Sequence, residues 1–356
     1  MDIHALPKLS KVDLDHMFAG LGEVDWQYFA GKRLFFTGGT GFIGKWMLLA
    51  LVEADLRLGL NCTIEVLTRS PKVFAALMPN LAVATNIRLH EGDVRSFEFP
   101  HGKFDIVVHG ATDVVVQNTP FETFSTCVDG SKRTLDFARV SGAEDFLITS
   151  SGAVYGRHPS TSEGVFESYA GGPDPTLPSS AYGEGKRVSE WLACAQGAET
   201  GLKVKIARIY AQVGPYLPMD KHFAIGNFIN DALADREIII RGDGTPFRSY
   251  LYAADTAVWL WAMVVRGDAG RAWNVGGSVG ISIADLADRV SKLLESTKGI
   301  KFLTPANPNG YVEKYVPNVN RALKELSLPE PISLDNAILR TAQWLRLNHQ
   351  IGRAHV

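Results

Sequence analysis

From Arg33 onward, short apolar runs alternate with longer segments whose apolar residues recur at helical spacing. The runs at 34–36, 63–68, 87–90, 106–109, 146–149 and 204–209 read as strands, and 46–53 (WMLLALVE) reads as part of an amphipathic helix. Apolar strands separated by helices require a sheet covered on both faces. The expected fold class is therefore α/β, a doubly wound parallel sheet. Further on, 223–234 reads as a helix, 237–241 as a strand and Gly242-Asp243-Gly244 as a tight turn, which together open a smaller C-terminal α/β subdomain. Ser282, followed by Asp285, caps a helix carrying Leu286, Val290, Leu293 and Leu294 on one face. Ahead of the alternation, Leu14, Met17, Phe18, Leu21 and Trp26 mark an extra segment expected to pack on the domain.

Two stretches break the rhythm. Residues 158–180 are rich in Pro, Gly, Ser and Thr, and 212–222 follows the sixth strand; both leave the sheet at the edge where ligands bind. They are the expected substrate walls. The organisation that follows has an extension (1–30) and a dinucleotide domain (31–211, rejoined by 248–278). A substrate-binding subdomain (212–247 and 279–348) and a tail (349–356) complete it.

Composition narrows the function by exclusion. A 46% hydrophobic chain of 356 residues can build a full core, and a net charge of −2 without a long basic run points away from nucleic acid and membrane surfaces. Cys62, Cys127 and Cys194 lack metal-ligand spacing, so the expectation is three plain thiols in a reducing cytoplasm and no metal. The N-terminus has no basic-then-apolar leader, and no stretch approaches the ~20 apolar residues of a membrane span.

The chemistry is concentrated in a few places. Thr37 to Gly44 read TGGTGFIG directly after the first strand. Glycines at 38, 41 and 44 allow a sharp strand-to-helix turn and bring backbone N–H groups against a pyrophosphate. Far downstream, Tyr182 and Lys186 stand one helical turn apart, so a cation shares a face with a phenol that takes a proton while hydride leaves the adjoining carbon. Ser150-Ser151, ending the fifth strand, face the same crevice.

These segments, with Gly92-Asp93-Val94, VVHGAT at 107–112, SSGAVYG at 150–156, YGEGK at 182–186, RGDGTPFRSYLYAAD at 241–255 and WNVGG at 273–277, resemble the extended short-chain dehydrogenase/reductases. More narrowly, they resemble the nucleotide-sugar epimerase/dehydratase family, over residues 33–348. The resemblance implies a Rossmann fold that binds NAD(P) through Gly38, Thr40, Gly41, Phe42 and Ile43. Asp93 and Val94 would flank the adenine, Ala111 and Thr112 would line the cofactor, and Lys186 would hold the nicotinamide ribose. It implies catalysis by Tyr182, with Ser151 on the same sugar oxygen, and contacts from Arg248 and Asn227 to the diphosphate of a nucleoside-diphosphate sugar. A homodimer on the helices near 121–141 and 182–196 is the family's usual assembly.

Departures from the family pattern bear on the reaction. Members that eliminate water carry Asp and Glu after the serine position, and the decarboxylases commonly retain the Glu; here stand Gly152 and Ala153, which transfer no protons. This pair resembles C4 epimerases and 4-keto reductases. Asp113, Glu184, Asp220 or His222 are the residues that could substitute from other loops. Ala211 and Cys127 replace common asparagines, whereas the YGEGK and RIY…GP phrasing looks closest to the decarboxylase and dehydratase branch. At the end of the second strand, Thr68-Arg69 offers a cation where an NAD-selective site would place a carboxylate, which favours NADP, with NAD the alternative. The expected activity is a nucleotide-sugar 4-epimerase acting through transient C4 oxidation. Alternatives are a 4,6-dehydratase or decarboxylase with relocated acid/base groups, an NADPH-dependent 4-keto-sugar reductase, and a non-enzymatic dinucleotide-binding regulator.

Overall fold

The computed structural model describes residues 5–112, 118–159, 163–219, 223–305 and 312–353, with side chains through Leu347. Seven strands form the main sheet: β1 (Arg33–Thr37), β2 (Thr63–Thr68), β3 (Ile87–Glu91), β4 (Ile106–His109), β5 (Asp145–Ser151), β6 (Lys203–Ile209) and β7 (Arg271–Val275). All pairings are parallel, in the order β7-β6-β5-β4-β1-β2-β3. The doubly wound sheet and all six strand positions read from the sequence are present. Strand order reverses between β1 and β4, and that switch point opens the ligand crevice.

Alternate residues of each strand serve opposite faces. Leu34, Phe36, Ile106, Val108 and Leu147 join one core, while Phe35, Val107, Phe146 and Ile148 join the other. This explains why the strands read as unbroken apolar runs. Eight helices matter here: α1 (Lys11–Leu21), α2 (Phe42–Leu58), α3 (Pro120–Ser141), α4 (Ala181–Thr200), α5 (Ala224–Leu233), α6 (Ala253–Arg266), α7 (Ile283–Leu293) and α8 (Leu334–Arg353). Helices α1, α2 and α6 contribute to the first core, and α3 and α4 to the second. Every residue of α6 from Ala253 to Val264 is buried, as expected of a helix apolar all round.

The N-terminal segment packs as expected, and polar contacts fasten it. Asp13 accepts from Tyr252 Oη (3.1 Å) and Arg340 Nη1 (2.8 Å), while His16 Nε2 lies 2.7 Å from Asp255. It thereby joins α6 to α8.

Among the small sheets outside the main one are two built from residues 238–315. One pairs 238–240 with 300–302; the other places Lys314–Tyr315 parallel to Phe247–Arg248, which pairs in turn with Ile281–Ser282. Ser282 caps α7, its Oγ accepting from Asp285 N at 3.0 Å. The register sets Tyr315 beside Arg248, and both line the crevice.

Candidate active site

The glycine loop is shaped by close approach. Gly38 has φ +77°, and a Cβ there would lie 2.4 Å from the Gly110 carbonyl carbon; one at Gly44 would lie 2.3 Å from Gly38 O. These two glycines let β1, β4 and α2 converge. Gly41 differs. A Cβ at that position would meet only Gly38 O, at 3.2 Å, and would otherwise project into the crevice from the uncapped start of α2. The protein itself has no need of a bare backbone there, whereas a pyrophosphate drawn to the free N–H groups of the first turn does. The loop therefore fits a dinucleotide.

Two adjoining cavities share Gly38, Gly41, Gly110 and Thr112. The smaller, about 360 Å³, is lined by Thr40, Arg69, Asp93, Val94 and Ala111 among others. Asp93 is gripped by Arg95, through N (2.9 Å), Nε (2.8 Å) and Nη2 (2.9 Å), and those bonds hold its carboxyl down at about 2. The larger, about 810 Å³, is lined by Phe42, Ile43, Ser151, Tyr182, Lys186 and Arg248 with their neighbours. Of the residues singled out from sequence, Asn227 in α5 is not among those lining either cavity; Phe223, Ala224 and Ile225 stand there instead.

Lys186 is buried and donates to Thr112 Oγ1 (2.6 Å) and Thr149 O (2.8 Å); burial lowers its pKa. Its Nζ stands 6.0 Å from the centre of the Tyr182 ring. Burial raises the Tyr182 phenol above its ordinary range, and the hydrogen bond with Ser151 opposes that rise. Ser151 Oγ also accepts from Ala153 N at 3.1 Å. Beneath the site, Glu190, one turn beyond Lys186, takes Arg208 in a two-pronged pair (Nε 3.0 Å, Nη2 2.7 Å) that anchors α4 to β6.

An aromatic group that sequence reasoning missed closes the far wall. Tyr315 Oη lies 3.3 Å from Ser151 Oγ, and its ring packs on Tyr210 (centroids 4.5 Å apart) and stacks on His158 (5.0 Å, 25°). Burial pushes the Tyr315 phenol up to about 12. These rings fill the space that a side chain at 152 would need. A Cβ on Gly152 would sit 2.6 Å from Tyr210 Cζ and 2.7 Å from Tyr315 Oη. Tyr315 lies in no motif; its pairing register with Arg248 was the only route to it.

Arg248 donates to Phe247 O (2.9 Å) and to Glu313 (3.0 Å), so its fork is shared with a carboxylate in the cleft. Of the candidate replacement acids and bases, Glu184 lies 3.8 Å from Arg187 Nε and is not among the cleft-lining residues. Asp113, Asp220 and His222 lie outside the described residues. Ala211 lines the cleft, and Cys127 is buried behind α4, where a Cβ on Gly185 would meet its own Cβ at 2.8 Å.

The sequence model of the NAD dependent epimerase/dehydratase family matches residues 34–276. The chain belongs to that family. A curated relative is UDP-glucuronic acid decarboxylase 6 of Arabidopsis thaliana, 27% identical, aligned over 89% of this chain and 90% of that protein. Among solved structures, UDP-glucose 4-epimerase of Thermotoga maritima with UDP-glucose superposes with TM-score 0.74 at 21% identity, over 89% of this chain and 99% of that one. A dTDP-glucose 4,6-dehydratase of Bacillus anthracis in complex with NAD gives TM-score 0.72 at 19% identity, over 90% and 98%. Within the NAD dependent epimerase/dehydratase family, then, this chain shares its fold with enzymes of different outcome. In this chain position 152 is a glycine enclosed by Tyr210 and Tyr315.

Proposed function

We propose that this protein is an NAD(P)-dependent nucleotide-sugar 4-epimerase. The observation that carries the reading is the filled space at Gly152: no acid or base stands there, and the rings of Tyr210 and Tyr315 leave no room for one. Dehydration across C5 and C6 needs an acid and a base beside the sugar, whereas C4 inversion needs only the Ser151, Tyr182 and Lys186 set. A bound nicotinamide dinucleotide would accept the C4 hydrogen as hydride and return it. Tyr182 removes the O4 proton and later restores it. Ser151 holds the same oxygen, and Lys186 supports the phenolate and the nicotinamide ribose. Arg248 engages the substrate diphosphate from the edge of the dinucleotide domain, where its strand pairs with 281–282 and 314–315, and we assign 212–247 with 279–348 as the substrate-binding unit.

Incubation with UDP-, dTDP-, GDP- and CDP-sugars, followed by mass and NMR, tests the reading. The expected product has unchanged mass and inverted C4 configuration. Loss of water, gain of two hydrogens, or loss of carbon dioxide from a uronic acid would overturn it. The last outcome is the second reading, favoured by the decarboxylase relative.

The cofactor we propose is NADP. Arg69 and Arg95 both line the adenosine-side cavity, and the end of β2 contributes no carboxylate to repel a 2′-phosphate. Replacing Arg69 by alanine is expected to weaken NADP binding about tenfold while leaving NAD within twofold, as for loss of one charge-assisted contact. Equal effects on both dinucleotides, measured by titration, would remove the preference. Exposed Phe121 on α3 (87%) and Trp191 on α4 (67%) support a homodimer on these helices. A monomer mass by light scattering would count against it. Three unbridged thiols suit a reducing compartment, and we place the protein in the cytoplasm.

A further inference from the structure

Three cations line the larger cleft among the described residues: Lys45, Lys186 and Arg248. Lys186 is engaged by Thr112 and the Thr149 carbonyl, and Arg248 by Glu313 and the Phe247 carbonyl. No described residue bonds or pairs with the Lys45 ammonium, although it is half-buried on the first turn of α2. A lysine is poorly placed there without an anion. The helix start is already the positive end of its dipole, and the side chain leans back toward that end. Burial alone lowers its pKa, to about 8, because no carboxylate restores it.

The charge balance of the cleft indicates what would. A nucleoside diphosphate sugar brings two negative charges, and Arg248 meets them with its own charge already answered by Glu313. The other titratable groups lining the cleft are the phenols of Tyr182, Tyr210, Tyr216, Tyr250 and Tyr315, which are neutral near pH 7. The cleft that Lys45 lines is also lined by Tyr216, Leu217, Phe223 and Ile225, from the loop after β6 and the start of α5, and Lys45 does not line the adenosine-side cavity.

We propose that Lys45 is a substrate-binding residue, supplying the second cation to the diphosphate of the nucleoside diphosphate sugar. This rests on the nucleotide-sugar reading. Binding then restores the ammonium, so the protein takes up a proton with its ligand near pH 8. Affinity falls as pH rises through that region.

Calorimetric titration of UDP, dTDP, GDP and CDP into the full-length protein, beside Lys45→Met and Lys45→Arg, tests it, with NADP and NAD titrated in parallel. In Lys45→Met, nucleoside diphosphate affinity is expected to fall about tenfold, with the dinucleotides unchanged to within twofold. Lys45→Arg is expected to restore binding, and the heat of binding at pH 8 should depend on the buffer in wild type but not in Lys45→Met. Unchanged diphosphate affinity in Lys45→Met would overturn the assignment while leaving the proposed function standing. So would a loss confined to the dinucleotides, which would give Lys45 to the cofactor. Failure of all four diphosphates to bind wild type would overturn the function and, with it, this assignment.

Discussion

Replacing Tyr182 by phenylalanine is expected to leave dinucleotide binding intact and to lower turnover by about 10²–10⁴-fold, the usual worth of a positioned acid/base group. The ring still fills its place, so the loss isolates the hydroxyl. Burial raises the phenol's pKa, with Ser151 pulling the other way, so the base form is scarce in the free protein and becomes commoner as pH rises. Activity per free enzyme should therefore climb with pH on the alkaline side in wild type, and this limb should disappear in the variant. Lys186 is held close by Thr112 and Thr149 O, yet its pKa is itself lowered by burial. At still higher pH its charge is lost and support for the phenolate goes with it. A variant with wild-type turnover in a sugar-nucleotide assay would sink the enzymatic mechanism outright.

The next largest effect is expected at Gly152. Substituting aspartate restores the acid of the dehydratase pattern, yet its Cβ would press on Tyr210 Cζ at 2.6 Å and on Tyr315 Oη at 2.7 Å. Contacts under 3 Å force movement, and the Tyr210 and Tyr315 rings, packed together with Tyr315 stacked on His158, give way poorly. Overpacking of this kind costs about 1–3 kcal/mol. Gly152→Asp should therefore melt several degrees lower and lose turnover by displacing Tyr315 from Ser151, without gaining dehydration. Ala153 is the control: it already carries a Cβ and lines the open cleft, so Ala153→Glu should melt near wild type. A fully stable Gly152→Asp protein, or one that eliminates water, would show that the aromatic wall does not decide the reaction.

The fold was legible because its signals are local. A strand buried on both faces is a continuous apolar run, and Leu34 with Phe36 on one side and Phe35 on the other need no partner to be read. The same holds for Ser282 as a helix cap and for the glycines that turn β1 into α2. Tyr182 and Lys186 share a helix face by spacing alone. Tyr315 could not be read this way, since it is 164 residues from Ser151 and its place is set by strand pairing with 247–248. Glu313 on Arg248 is likewise a product of that pairing. Which residues at the start of α5 face the cleft is also a tertiary matter: Phe223, Ala224 and Ile225 line it, and Asn227 does not.

The amino-acid sequence by itself determined the doubly wound sheet, the dinucleotide loop and the Ser/Tyr/Lys set, because periodicity, turn chemistry and helical spacing act over a few residues. It also showed that 152 and 153 carry no side chain able to move a proton. Only the tertiary structure decided why a larger residue is excluded at 152 and which cations in the cleft are already engaged. Both depend on atoms brought together from distant segments, and contact and charge compensation are set by distance in space, not along the chain.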